Sequence, residues 1–142
     1  MMLTMIALLQ TAFACGPYGG FAASEQGAWA YEDNDVITMY TADGTHIELP
    51  IFGELIDMDF VGEELVVAYV EKDENFVLLF DQAGEELADW NPRHPRAHIR
   101  DIAVKRDGLV IVTENNGRFG FARLTDDLVQ LHNVGQRRSF GQ

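Results

Sequence analysis

The stretch DMDFVGEELVVAY at residues 57–69 recurs 44 residues later as DIAVKRDGLVIVT at residues 101–113. In both copies an apolar run leads through a short polar turn into a second apolar run, which begins at Leu65 in the first copy and at Leu109 in the second. Two such runs joined by a tight turn are typical of a β-hairpin. A hairpin that recurs at a constant offset predicts a tandem structural repeat.

An earlier, less complete copy precedes these two. The segment VITMYTADGTHI at residues 36–47 overlays FVLLFDQAGEEL at residues 76–87 with an offset of 40, and a fainter form of its turn phrase, LTDDLVQL, follows at residues 124–131. No strand signal precedes Gly27 to supply the first strand of the earliest copy. The sequence therefore predicts about two and three-quarter repeats of four strands each.

Short runs of β-branched and aromatic residues, separated by Asp, Asn and Gly turns, follow one another from Gly27 onward. This pattern predicts an all-β fold, since no long segment keeps a helical period. We predict strands at residues 27–31, 35–40, 45–49, 56–60, 65–70, 75–80, 85–89, 100–104, 109–113, 118–124 and 128–132.

A period of 40–44 residues with four strands per repeat resembles the blades of β-propellers, of the NHL and quinoprotein types. The resemblance covers residues 27–132, and Asp81, Gly84 and Trp90 approach the quinoprotein docking phrase, although the Trp follows the Gly by six residues rather than four. It implies a partial propeller of about three four-stranded antiparallel sheets. Because closed propellers have about four to eight blades, a β-sandwich or bent barrel is the alternative.

The first 15 residues, MMLTMIALLQTAFAC, carry no charge and are too short to span a bilayer, which needs about 20 apolar residues. Their length and composition are typical of the apolar core of a signal peptide. We predict a signal peptide over residues 1–22, cleaved after Ala14 or Ala22, and a secreted or periplasmic protein. A buried N-terminal strand or helix of a cytoplasmic protein is the alternative.

Cys15 is the single cysteine of the chain, so it forms no disulfide within the chain. The phrase TAFAC loosely resembles a bacterial lipobox, which gives an outer-membrane lipoprotein anchored through Cys15 as an alternative location. Ala12 stands where a lipobox usually has an aliphatic residue. Beyond the signal peptide we predict a single all-β repeat domain over residues 23–135 and a C-terminal tail over residues 136–142.

The net charge of −13 disfavours nucleic acid as a partner, because proteins bind phosphates chiefly through Lys and Arg. The charge is also unevenly spread. Residues 1–92 contain 18 acidic residues against the single Lys72, whereas residues 93–142 contain nine Lys and Arg against five acidic residues. A solvated acidic face and a basic loop explain this asymmetry, and the alternative is two poles that let copies or partners dock head to tail.

The segment WNPRHPRAHIR at residues 90–100 has the most unusual local composition, and we predict that it is the longest connection between strands. Its prolines favour an extended course, which would direct several basic side chains outward toward carboxylates or phosphates. The alternative is a solvated linker whose positive charges balance the acidic remainder of the chain. The candidate binding residues are Trp90, Arg93, His94, Arg96, His98 and Arg100.

His94 and His98 have the spacing of metal ligands on a helix, but Pro95 intervenes and no third ligand is adjacent, so we predict no metal site. No cofactor is predicted either, because the sequence has no glycine-rich phosphate loop and no nucleophile motif. Asp57 and Asp59 alternate along a strand with the apolar trio of Ile56, Met58 and Phe60, so pleating would place both carboxylates on one face and the trio on the other.

These patterns favour a non-enzymatic, exported module that presents a rigid loop surface to a protein partner or another copy. One alternative is a carbohydrate-binding or glycoside-cleaving module, in which the carboxylates of Asp57 and Asp59 would converge with exposed aromatic residues such as Trp29. The other alternative is a truncated propeller without an independent function, which would expose an apolar edge.

Overall fold

The computed structural model describes residues 20–131, which form three antiparallel sheets and no helix. The first sheet contains β1 (Phe21–Ala23), β2 (Trp29–Asp33), β3 (Val36–Tyr40) and β4 (His46–Glu48). The second contains β5 (Glu54–Val61), β6 (Glu64–Glu71), β7 (Glu74–Phe80) and β8 (Glu86–Trp90), and the third contains β9 (His98–Lys105), β10 (Gly108–Asn115) and β11 (Arg118–Leu124). Each strand pairs with the next along the chain, so every sheet is an up-and-down meander.

The strand register confirms the repeat of 44 residues. Leu65 on β6 pairs with Phe80 on β7, and 44 residues later Leu109 on β10 pairs with Leu124 on β11. The hairpins β5–β6 and β9–β10 therefore occupy corresponding places in their sheets. The offset that the sequence predicts is a three-dimensional repeat.

The five-residue turn that follows the third strand of each sheet has the same backbone geometry in all three sheets. The N–H of its first residue donates to the carbonyl of the fifth, and the N–H of the fourth donates to the carbonyl of the first. The first, fourth and fifth residues are Thr41, Gly44 and Thr45, then Asp81, Gly84 and Glu85, then Thr125, Leu128 and Val129. The fourth residue has a positive φ each time, which favours glycine. Leu128 is the exception, and its side chain is buried in the core.

Two strand predictions at the ends of the repeat region were wrong. The sequence showed no strand before Gly27, yet β1 pairs with β2 and completes the first sheet. Three residues are too few to display an alternating pattern. The strand predicted over residues 128–132 is a single bridge between Leu124 and Gln130 within the part of the chain that the structure describes. The structure has three sheets, whereas a sandwich would have two.

The predictions for the chain ends fall largely outside the described residues. Most of the predicted signal peptide, Cys15 and the predicted tail over residues 136–142 lie there. Cleavage after Ala22 would divide β1, whereas cleavage after Ala14 would leave that strand whole. The predicted start of the repeat domain at residue 23 falls at the last residue of the same strand.

The second sheet lies between the other two and is buried on both faces. On β6, Leu65 and Val67 pack with the first sheet, whereas Val66 and Ala68 pack with the third. All four side chains are fully buried. Because successive strand residues point to opposite faces, a strand covered on both sides needs an uninterrupted apolar run. This explains the run LVVAYV at residues 65–70.

The sheets approach one another most closely along their first strands. Backbone contacts between sheets join β1 to β5 and β5 to β9, with a smaller set between β7 and β9. The first strands therefore lie side by side, and the later strands of each sheet lie farther from that line. Residues on β1, β5 and β9 are the ones placed where all three sheets meet.

We predict that the second sheet dominates the stability of the domain. Leu65→Ala should lower the free energy of unfolding by about 2–5 kcal/mol, because it removes buried methyl groups and leaves a cavity. Leu87→Ala on β8, where the side chain is exposed, is the matched control and should change it by less than about 1 kcal/mol. Chemical denaturation measures both values, and equal effects would contradict this account of the core.

Candidate functional site

The segment predicted as one long basic loop is divided between a loop and two strands. Trp90 is the last residue of β8, residues 91–97 form the connection, and His98 and Arg100 belong to β9. The prediction of a connection over residues 90–100 was therefore too long. Strand β9 begins earlier than its polar sequence indicates, because His98 and Ile99 pair with β10.

Three of the six candidate binding residues, Trp90, His94 and Arg100, make side-chain polar contacts within the molecule. The Arg100 guanidinium lies 2.6 Å from the Glu114 carboxylate of β10, and this hydrogen bond lowers the pKa of Glu114. The Trp90 indole N–H donates to the side-chain oxygen of Gln130 over 3.2 Å. Both pairs fasten β9 or β8 to a neighbouring segment. These two side chains therefore have a structural role and are less available to a partner.

The loop over residues 91–97 is anchored at its end. The Asn75 side-chain oxygen accepts the backbone N–H of Ile99 over 2.9 Å, and Asn75 is buried. Within the loop, His94 Nδ1 accepts the backbone N–H of Arg96 over 3.2 Å, and the N–H of Ala97 donates to the His94 carbonyl. Ala97 is buried below the loop. These contacts tie the loop to itself and to β7.

Arg93 and Arg96 are the free cations of this loop. Both are exposed, and neither forms an ion pair with any residue between 20 and 131. His98 is exposed as well. Neither arginine is held by an ion pair within the described residues, although Glu74 and Arg93 line one small cavity, and the interpretation of the segment as a solvated linker stays an alternative. The two arginines remain available to carboxylates from outside.

A β-bulge sets the direction of the predicted carboxylate pair. On β5, Leu55 pairs with Tyr69 and Asp57 with Ala68, so Ile56 is the extra residue. Ile56 packs in the core between the second and third sheets, away from the side of Met58 and Phe60. The predicted apolar trio was therefore wrong in Ile56, because the bulge resets the alternation. Asp57 and Asp59 do share a face, since their partners Ala68 and Val66 both point toward the third sheet.

Asp57 meets Asp101 of β9 where the second and third sheets join. The backbone N–H of Ile102 donates to Asp101 over 2.9 Å and to Asp57 over 3.4 Å, so one donor serves two carboxylates. Asp57 also accepts the N–H of Met58. Burial, together with the neighbouring Asp101 carboxyl group, raises the pKa of Asp57 to about 6. The Asp57 carboxyl group therefore takes part in the contact between the second and third sheets.

Asp59 has different surroundings from those of Asp57. It accepts the N–H of Phe60 over 2.8 Å and lines a cavity of about 360 Å³ together with Ser24 and Glu25. This cavity lies between residues that follow β1 and residues of β5 and β9. Trp29 is not part of its lining. The three residues of the carbohydrate hypothesis are therefore not brought together.

Trp29 belongs to an aromatic row on the outer face of the first sheet. Its ring lies parallel to that of Tyr40, with centroids 4.3 Å apart, and Tyr31 and His46 extend the row on either side. The two parallel rings cover each other's faces. Because a sugar stacks on an open ring face, this arrangement suits packing of the sheet better than carbohydrate binding.

The outer face of the third sheet, which no residue between 20 and 131 covers, carries two exposed aromatic side chains. Phe119 and Phe121 of β11 are 67% and 68% exposed, on the side away from the second sheet. The residues 44 positions earlier are Asn75 and Val77, which are 6% and 0% exposed because the third sheet covers them. Sequence reasoning missed this surface. The signal was available in the repeat alignment, which places Phe121 on a position that a following sheet covers.

The outer face of the first sheet is likewise left uncovered by residues 20–131. Its side chains come from alternate residues of β1–β4, opposite to those that face the second sheet. Its members are Phe21, Ala23, Trp29, Tyr31, Asp33, Val36, Thr38, Tyr40, His46 and Glu48. Eight of the ten are aromatic, aliphatic, hydroxyl or imidazole side chains, and the other two are the carboxylates of Asp33 and Glu48. The first sheet therefore ends the stack in a face that is largely aromatic and aliphatic.

No protein-family model matches the chain, and no curated protein matches it either. Among residues 20–131, no group of three or more His, Cys, Asp or Glu side chains is arranged to hold a metal ion. The same part of the chain contains no helix long and apolar enough to cross a membrane. The exposed residues described above make the loop over residues 91–97 and the two outer faces the candidate surfaces.

The Asp57 carboxyl group should make stability depend on pH. Its folded pKa of about 6 lies above the ordinary value of 3.8, so its favourable contribution is complete below pH 4 and is lost as the pH rises through 6. Asp57→Asn should therefore raise the melting temperature at pH 8 and flatten its dependence between pH 4 and pH 7. Asp73→Asn, on the β6–β7 turn, is the control. Parallel pH profiles for wild type and Asp57→Asn would contradict this prediction.

Proposed function

We propose that this chain is a non-enzymatic, exported assembly module that binds another protein chain through the uncovered faces of its terminal sheets. The observation that carries this proposal is the exposure of Phe119 and Phe121 at positions whose repeat equivalents lie in a sheet-on-sheet core. Export is the expectation from the apolar N-terminus of the sequence.

The three sheets are proposed to be propeller-like blades. Support comes from the meander order of each sheet, the face-to-face packing of successive sheets and the contacts among the first strands. In a closed propeller each blade is covered on both faces by its neighbours, and closure takes about four to eight blades. A stack of three leaves two faces open, which accounts for the location of the exposed apolar residues.

The energetics favour binding over the whole outer face rather than at the two phenylalanines alone. Burying one such side chain contributes about 1.5–3 kcal/mol. Association costs roughly 4–15 kcal/mol in lost translational and rotational freedom, so two rings are insufficient. Val110 and Val112 on β10 and the exposed Val129 extend the apolar surface across the sheet. A partner must cover this wider area to bind stably.

The loop over residues 91–97 is a second surface in this proposal. Arg93 and Arg96 are exposed and unpaired among the described residues, and the loop that carries them is anchored through Asn75. Guanidinium groups on a fixed loop suit an acidic protein surface. Such charges at the edge of an interface act mainly on the association rate and its salt dependence.

Two alternative functions have less support. A carbohydrate module needs Asp57 and Asp59 to converge with an open aromatic face, whereas Asp57 contacts Asp101 and Trp29 stacks on Tyr40. A truncated propeller without a function shares the expectation of exposed apolar faces. The two hypotheses differ because a truncated propeller would bind no specific partner through these faces.

Site-specific photo-crosslinking tests the proposal. A benzophenone side chain at position 121 should give a discrete protein adduct when the full chain is irradiated in the cells that produce it. The same probe at Asp73, on the β6–β7 turn, is the control and should give none. No adduct at position 121, or equal adducts at both positions, would contradict the proposed function.

The contribution of the basic loop is separable from that of the apolar face. We expect the adduct at position 121 to persist in Arg93→Ala/Arg96→Ala and to be lost in a variant that also carries Phe119→Ser. Loss of the adduct on removing the two arginines alone would assign the principal surface to the loop. The ratio of adduct to free chain measures the effect.

A further inference from the structure

We infer that the protein bound by these faces is a second copy of this chain, docked head to tail, with the outer face of the third sheet of each copy on the outer face of the first sheet of the other. This inference rests on the proposed function and names its partner. It follows from a comparison of the two uncovered faces with the interfaces that the chain already contains.

The outer face of the third sheet corresponds to a face that has a sheet packed on it. In the second sheet, Val66 and Val77 face the third sheet and are fully buried. Their equivalents 44 residues later are Val110 and Phe121, which pair with Arg123 and Val112 on the outer side of the third sheet. The third sheet therefore offers the kind of surface on which a following sheet packs.

The outer face of the first sheet corresponds to the opposite member of such an interface. In the second sheet, Leu78 and Phe80 pack toward the preceding sheet. Their equivalents 40 residues earlier are Thr38 and Tyr40, which lie on the outer side of the first sheet. The two uncovered faces of the chain are therefore the two different halves of one interface, not the same half twice. A second copy supplies the missing half at each end.

The charges favour this orientation over a pairing of two first sheets. Residues 20–53, which hold the first sheet, contain six acidic residues and no Lys or Arg. Residues 98–131, which hold the third sheet, contain five Lys and Arg and five acidic residues. Two first sheets face to face would bring together two acidic ends, whereas head-to-tail docking places an acidic end against the end with the cations. On the two faces themselves, Asp33 and Glu48 would meet a surface that carries Arg123. The carboxylate on that surface, Glu114, is already paired with Arg100.

The number of sheets points to two copies. A head-to-tail interface closes into a ring when the rotation between copies permits it. Two copies supply six sheets, which lies within the range of about four to eight that closed propellers use, and three copies would supply nine. In a closed pair each copy uses both of its uncovered faces. Every sheet is then covered on both sides, as the second sheet is within one chain.

A complementation experiment tests the inference with the purified chain. Phe119→Glu blocks the third-sheet face, and Val36→Glu blocks the first-sheet face. Both side chains are exposed, at 67% and 42%, so these substitutions should leave the fold intact, and thermal melting checks this. Arg106→Glu, on the β9–β10 turn, is the control. Light scattering coupled to size-exclusion chromatography gives the mass of each variant and of the mixture.

We expect the wild type and Arg106→Glu to have twice the mass of one chain, and each face variant alone to have the mass of one chain. An equimolar mixture of the two face variants should recover the doubled mass, because one of its two interfaces pairs an unaltered third sheet with an unaltered first sheet. That mixture should dissociate at a higher concentration than the wild type, since only one interface remains.

Three results would overturn the inference. A monomeric wild type would do so, as would a dimer that survives Val36→Glu but not Phe119→Glu, because that pattern indicates two third sheets packed together. Failure of the mixed variants to associate would also do so. A monomeric wild type that still gives an adduct with a different protein at position 121 refutes the second copy while retaining the proposed function. A monomer without any adduct refutes both.

Discussion

The burial of both faces of the second sheet is the constraint on which the rest of the structure depends. Strand β6 places Leu65 and Val67 in one core and Val66 and Ala68 in the other, so neither the first nor the third sheet can leave without exposing half of this strand. A meander sheet with one apolar face needs one neighbour, but this sheet needs two. The order of the three sheets follows from that need, and so does the fact that the outer two have an unmatched side.

The fold was predictable to the extent that it is local. Hairpins and tight turns are encoded by neighbouring residues, which is why the match between residues 57–69 and 101–113 identified the repeat and its register. Strand β1 was not predicted because three residues are too few to show an alternating pattern. The bulge at Ile56 was not predicted for another reason. The direction of the Ile56 side chain depends on the two cores on either side of β5, and the local sequence does not indicate it.

The candidate surfaces were less predictable, because exposure depends on which neighbour is present. The repeat alignment gives Val77 and Phe121 the same place in their sheets, yet one is fully buried and the other 68% exposed. Similarly, Arg93, Arg96 and Arg100 look alike in the sequence, whereas only Arg100 forms an ion pair with another residue between 20 and 131. A sequence records the residue types of a surface, but the packing of distant segments determines which of them remain free.

A β-bulge occurs at the same place in β5 and in β9. The extra residue of β5 is Ile56 and that of β9 is Arg100, and these lie 44 residues apart, the same offset as the hairpins that contain them. One points a hydrocarbon chain into a core and the other forms an ion pair, so their side chains share no role. Each bulge adds one residue at the same step of the first strand of its sheet, so both strands turn their following side chains to the opposite face at the same place. The second and third sheets therefore share a local kink of the backbone as well as a hairpin.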